Sequence, residues 1–337
     1  MPVLLSADLR FLEHDTGPFH PERPERLAAV LDGLTEHGLD EAVVRIPAVR
    51  SATDAEIARV HPMEFIAAID RFCEAGGGNL DADTVVSSRS GELARLASGA
   101  GLDAVDRLRA GEAEAAFLAM RPPGHHATRT RAMGFCLFNH VAVTAAALAA
   151  AGERVAIVDF DAHHGNGTQD IFYDRDDVLY VSWHQHPLYP GTGRIEERGA
   201  GVGVGATLNL PMPPGATGEH YRRSVETIIA PTLARLGVGW LLISAGFDAH
   251  RDDPLTDMGL SSGDYADLTT DLMSTVPPGR VLAFLEGGYD LAALAHSSAS
   301  TIAAMAGERL HPEAPTAGGP GRSVVDAARA LTDRGDG

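Results

Sequence analysis

Cysteine is nearly absent from this 337-residue chain: only Cys73 and Cys136 occur, which excludes a disulfide framework. Long apolar runs are missing too. The longest stretch of small apolar residues, Val141–Ala151, is too short and alanine-rich to cross a bilayer, which takes about 20 residues. It reads instead as a packed helix following Gly134–Asn139. The amino terminus lacks a basic segment followed by a signal-like apolar one, so a cytoplasmic location is expected. No Pro/Gly/Ser linker, composition break or internal repeat divides the chain, which favours one domain. Positive charge is scarce: 27 Lys and Arg against 46 Asp and Glu leave a net charge of −19. That argues against the basic face that nucleic-acid binding needs. An acidic surface can steer a cationic substrate, such as a lysine peptide or a polyamine, or merely keep the chain soluble. Charge alone does not choose between them.

The richest segment present is Val158–Asp170, VDFDAHHGNGTQD, which follows the apolar run Val155–Val158. If that run is a strand, alternation puts Asp159, Asp161 and His163 on one side of its end. Two buried carboxylates need a cation or strong donors, since burying them unpaired costs several kcal/mol each. Asp and neutral His suit zinc, whose catalytic sites typically use three protein ligands plus a water. The alternative is a helix start, with Asp161 as cap and the histidines on a polar turn. Three further segments, RPPGHHA (Arg121–Ala127), SAGFDAHRDDP (Ser244–Pro254) and EGGYD (Glu286–Asp290), each follow a strand-like apolar run. The run Val178–Val181 ends in Ser182-Trp183-His184. Five apolar runs that each end in polar, glycine-rich residues predict a parallel sheet buried on both faces. Ligands of such sheets bind at the carboxyl ends of the strands, where all of these residues would lie.

Together the four segments resemble the zinc-dependent histone deacetylase family, which includes acetylpolyamine amidohydrolases and acetoin-utilisation proteins. The resemblance runs from His20-Pro21-Glu22-Arg23 to about Gly307, and the HHGNGTQ and EGGY forms look like its class II branch. It implies a single α/β domain of the arginase/deacetylase type, with a central parallel sheet of about eight strands flanked by helices. The catalytic domain is expected over residues 1–310, with 311–337 either a flexible tail or a short terminal helix at Ser323–Asp333. One zinc ion is implied, held by Asp161, His163 and Asp248. His125 and His126 would move protons, paired with Asp159 and Asn166 respectively. With its amide partner His126 is the expected base, while carboxylate-held His125 stays positive. Tyr289 would donate its hydroxyl to the oxyanion. Phe135 and Tyr189 match the aromatic walls of the acyl-lysine tunnel, and the Gly134 carbonyl would accept the substrate amide. Asp83 aligns with a rim residue, and Arg26 with an arginine of the pocket through which acetate leaves. A potassium ion is implied beside the zinc strand, at Asp159, the main chain of Asp161 and His163, Ser182 and the Trp183 carbonyl. A plain buried hydrogen bond accounts equally well for Ser182.

Four functions are compatible with these residues. The first is a zinc amidohydrolase acting on N-acyl-lysine, and the second is the same chemistry on acetylpolyamines. Polyamine-selective relatives carry Glu where this chain has Leu255, and leucine cannot attract a second ammonium. A manganese ureohydrolase wants D-A-H-x-D, but Asp161-Ala162-His163 is followed by His164-Gly165. A catalytically silent acyl-peptide binder is opposed by the intact set of His125, His126 and Tyr289. The natural acyl group and the oligomeric state are not encoded legibly. The expected partner is an acyl-lysine peptide or a small acylated amine, with no membrane involved.

Overall fold

The computed structural model describes residues 2–46 and 48–334. Its ten strands are β1 (Val3–Ser6), β2 (Val43–Ile46), β3 (Gly77–Asn79), β4 (Val85–Ser87), β5 (Ala115–Leu118), β6 (Val155–Asp159), β7 (Val178–Gln185), β8 (Thr207–Met212), β9 (Trp240–Ala245) and β10 (Val281–Leu285). Strands β3 and β4 form a small antiparallel pair. The other eight make one sheet in the order β2-β1-β5-β10-β9-β6-β7-β8, and every pairing in it is parallel.

Central strands such as AAFL, VAIVD and VLAFL are buried at every position. Helices cover both faces, so these strands need no polar alternation. Edge strand β2 is buried only at its ends. Helix starts are marked by side-chain caps: Asn139 accepts from the Ala142 N–H at the head of His140–Ala150. Asp290 does the same for Leu291–Met305 through the Ala293 N–H. Each such cap contributes about 0.5–2 kcal/mol.

Strands β5, β10, β9 and β6 are neighbours at the centre of the sheet. The loops leaving their carboxyl ends are the four segments singled out above. Segments nearly 170 residues apart in sequence therefore open into one crevice, the position at which parallel sheets bind ligands. Beyond residue 310 the chain is tied down. Glu313 accepts from His250 Nε2 at 2.7 Å and from the Ser262 N–H at 3.0 Å. A helix, Arg322–Arg334, buries Val325 and Ala328. Among the described residues no helix is long and apolar enough to cross a membrane.

Candidate active site

Strand β6 ends at Asp159, so the alternation expected through His163 stops short of it. Asp161 and His163 stand on a tight turn instead. The Asp161 N–H donates to Asp159 Oδ1 (3.1 Å) and the His163 N–H to Asp161 Oδ1 (2.8 Å). Asp161 is not a helix cap: the next helix begins at Asn166. Asp248, from the loop after β9, completes the group. His163 Nδ1 lies 2.8 Å from Asp248 Oδ2 and 3.2 Å from Asp161 Oδ1. One ligand atom from each of the three residues falls within 4.8 Å of the others. Both carboxylates have negligible exposure. Backbone N–H groups of Ala162 and Gly287 donate to Asp248 Oδ1 (2.7 Å) and Asp161 Oδ2 (2.8 Å). Side chains are excluded at Gly287, where a Cβ would stand 2.4 Å from Asp248 Oδ2 and 2.6 Å from Asp161 Oδ2.

Burial, together with the Asp161 charge, pushes the Asp248 carboxyl up to about 7. Burial opposes a charge on His163, yet Asp248 and Asp161 hold its imidazole up at about 10. Two carboxylates and an imidazole crowded in this way share protons or a cation, and the donor set suits a divalent transition metal with room for a water.

Next to this group the rings of His125 and His126 pack at a tilt of 41° with centroids 4.0 Å apart. His125 Nδ1 is 3.1 Å from Asp159 Oδ2, and His126 Nδ1 is 2.8 Å from Asn166 Oδ1. Against burial, Asp161 and Asp159 raise His125 to about 10. His126 is lowered well below the usual imidazole range, by burial first and then by the charges of His125 and His163. The two adjacent imidazoles are thus shifted in opposite directions, His125 up by its carboxylates and His126 down by burial and the neighbouring histidines.

Glu286 holds the turn that aims them, and its role was not legible in the sequence. Its Oε2 accepts from the Gly124 N–H (2.6 Å) and the His125 N–H (3.1 Å). Burial raises this carboxyl to about 7. Asp253 was overlooked as well: one oxygen accepts from the Tyr289 and Asp290 N–H groups (2.6 and 3.3 Å), the other from the Leu255 N–H (3.0 Å). Position was the only available signal: Glu286 directly follows β10 before two glycines, and Asp253 precedes Pro254 in the loop after β9.

A cavity of about 260 Å³ leads down to His126 and His163, lined by Asp83, Gly134, Phe135, Leu188, Tyr189, Leu255 and Tyr289. Phe135 meets Tyr289 edge-on at 5.9 Å, while Tyr189 meets His126 edge-on at 5.2 Å. Phe135 has φ of 69° and is the one non-glycine in the left-handed region among the described residues. That conformation costs about 1–3 kcal/mol and is typically kept where a site requires it. Gly134 beside it must lack a side chain, because a Cβ would come within 2.4 Å of the His126 ring. The Gly134 carbonyl accepts from the Cys136 thiol at 3.3 Å. Burial keeps the Tyr289 phenol protonated far past neutral pH.

Arg26 and Ser182 lie outside the wall of this cavity. Arg26 is fully buried outside the cavity wall, behind Tyr289, with its guanidinium carbon 5.0 Å from the ring centroid. It donates to the carbonyls of Glu286 (2.5 Å) and Gly288 (2.7 Å) and pairs with Glu22. Ser182 is not past a strand end but inside β7, level with Asp159, and its Oγ meets His184 Nδ1 at 2.9 Å. Asp159 Oδ2 also accepts the Tyr180 hydroxyl (3.2 Å). The Trp183 indole donates to Ser224 Oγ (2.8 Å), leaving only its main chain for any role beside Asp159.

The histone deacetylase domain model matches residues 20–305. A probable deacetylase of Archaeoglobus fulgidus is 41% identical over 307 residues, covering 88% of this chain and 84% of its own length. Human polyamine deacetylase HDAC10 is 37% identical over 305 residues, covering 86% of this chain and 45% of the human one. The crystal structure of the HDA15 HD domain superposes with a TM-score of 0.91 at 34% identity, covering 99% of this chain and 94% of that one. The matched domain spans all four strand ends that carry the cluster, the histidine pair and Tyr289, and the chain belongs to the histone deacetylase family.

Proposed function

We propose that the protein is a zinc-dependent amidohydrolase that removes acyl groups, acetyl foremost, from lysine side chains. The observation that carries this reading is the unequal pairing of His125 with Asp159 and His126 with Asn166, beside the Asp161, His163 and Asp248 cluster. When bound there, zinc supplies Lewis-acid polarisation of the amide carbonyl and brings the pKa of a water to about 7. His126, neutral and held by an amide, takes the proton from the attacking water. His125 carries positive charge beside it and stabilises the negative charge that develops. The Tyr289 hydroxyl donates to the carbonyl oxygen as it becomes an oxyanion, a contact worth several kcal/mol in such reactions. Phe135 and Tyr189 exclude water from the acyl-lysine stem, and the Gly134 carbonyl accepts its amide N–H. Asp83 holds the substrate backbone at the rim. A potassium ion held by Asp159, Ser182 and the main chain of Asp161, His163 and Trp183 belongs to the same reading. So does a cytoplasmic location, which both cysteines, buried and unpaired, suit.

Leu255 favours acyl-lysine over acetylpolyamine, because it brings an apolar side chain to the cavity where a second ammonium would need a carboxylate. Turnover of an acetyl-lysine peptide, longer acyl-lysine peptides and acetylputrescine by the purified enzyme separates the two. A tenfold or greater preference in kcat/KM for the acetylpolyamine overturns the lysine assignment and leaves the chemistry standing.

A further inference from the structure

Helices Glu25–Glu36 and Leu291–Met305 cross closely behind the Tyr289 turn. At the crossing Gly33 lies against the main chain of Ala295, where a Cβ would come within 2.3 Å of the carbonyl oxygen. This contact fixes the helices one turn before His37 and next to His296. His37, the capping residue of the first helix, brings Nε2 to 3.0 Å from Nδ1 of His296 on the second. Arg26 touches Tyr289 from the same helix eleven residues earlier. At 1.5 Å rise per residue that is roughly 16 Å away, so the histidine pair is separate from the catalytic cavity. A carboxylate oxygen of Glu36 joins them, and one atom from each of the three residues lies within 4.8 Å of the others.

We propose that Glu36, His37 and His296 form a second metal site, for a divalent transition ion of the imidazole-binding class such as zinc or nickel. Two nitrogens held at hydrogen-bond distance require one bare lone pair, so at least one ring is already in the ligating form. On a tetrahedral ion with bonds of about 2.0–2.1 Å, two nitrogens stand roughly 3.3 Å apart. The nitrogens need to part by only a few tenths of an ångström, with the rings turning so that both lone pairs face the ion. The Glu36 carboxylate is exposed and lies beside both rings, so it is available to an ion. Contrast the other His/carboxylate group outside the cavity, His250, Asp252 and Glu313. There Glu313 is already committed to His250, Arg251 and the Ser262 N–H, which makes that group a clip for the tail. Magnesium and calcium prefer all-oxygen shells and do not match two imidazoles. An ion at the proposed site clamps the two helices that bracket the Tyr289 turn: one carries Arg26, the other is capped by Asp290.

The test is the zinc content of the full chain after dialysis against micromolar free zinc, measured by elemental analysis together with the thermal midpoint. Two ions per chain are expected for the wild type, and one for His37→Ala and for His296→Ala, with deacetylase activity kept. Loss of a ligand should weaken the second ion by more than the 10–100-fold that loss of an outer partner costs. Zinc beyond the first equivalent should raise the thermal midpoint of the wild type and not of the variants. Should His296→Ala fail to fold, His37→Asn, at a helix terminus that tolerates Asn, decides. One ion per chain in the wild type, or two retained in the variants that fold, overturns the proposal.

Discussion

The floor of the cavity and its mouth are built by opposite means. On the floor, Asp161, Asp248, His125 and His126 are buried; backbone N–H groups from neighbouring loops hold the two carboxylates, and Glu286 and Asn166 hold the histidines. At the mouth, Tyr189 and Leu255 are each 38% exposed and sit on loops with few polar ties. Chemistry needs positions good to a fraction of an ångström, and strand ends supply them. Selection among substrates needs shape and charge that can change without disturbing the sheet. Damage to the floor should therefore appear in kcat, and changes at the mouth in the choice of substrate.

The sharpest break is removal of the metal. Chelation, or Asp161→Ala, should reduce acetyl-lysine hydrolysis to background, and zinc should restore the chelated wild type but not the variant. Full activity in protein shown by elemental analysis to hold no divalent metal would falsify the zinc reading.

Next in size is Tyr289→Phe, which keeps the ring against Phe135 and removes only the hydroxyl. It should cost about 10²–10³-fold in kcat, with KM little changed. Wild-type turnover in this variant would mean that Tyr289 only packs.

A third prediction reaches the ion cluster behind the floor. Glu22 accepts from Arg121 through both oxygens (2.5 and 2.8 Å) and pairs with Arg26, all three side chains being fully buried. Burial raises this carboxyl, but Arg121, His14 and Arg26 outweigh it and hold it at about 2, below the usual 4.5. Because the folded value is the depressed one, the stabilisation is complete above about pH 4.5 and is lost as pH falls toward 2. Glu22→Gln strands two buried cations and should cost about 3–5 kcal/mol. Denaturant unfolding at neutral pH measures that loss, and the variant's stability should change less than the wild type's between pH 4.5 and 2.

The smallest effect is expected at the mouth. Leu255→Glu should raise turnover of acetylspermidine and lower that of acetyl-lysine peptides, each by about tenfold or less, since an exposed charge pair contributes about 1 kcal/mol or less. An unchanged ratio of the two kcat/KM values would remove Leu255 from the specificity determinants.

Motif and period made much of this visible in advance. Continuous apolar runs marked the central strands, and the alanine-rich stretch Val141–Ala151 marked a helix that runs from His140 to Ala150. Edge strand β2, half exposed and four residues long, carried too weak a pattern to be seen. The end of β6 at Asp159 was misjudged because an alternating pattern can run on into a turn, and Ser182 because a buried polar residue in a strand looks like the residue that ends one. Glu286 and Asp253 went unread since both act through backbone N–H groups, which leave no trace in side-chain spacing.

By itself the sequence determined which polar residues gather at the carboxyl ends of the central strands, because strand period and the polar break at each strand end are local properties. Only the tertiary structure decided how they pair. Whether His125 meets a carboxylate and His126 an amide depends on contacts between residues 34 and 40 positions apart. Whether Arg26 lines the cavity or braces the Tyr289 turn depends on how a helix packs across some 260 residues of chain. Electrostatics and packing act through space, and a linear pattern holds no record of which strands become neighbours.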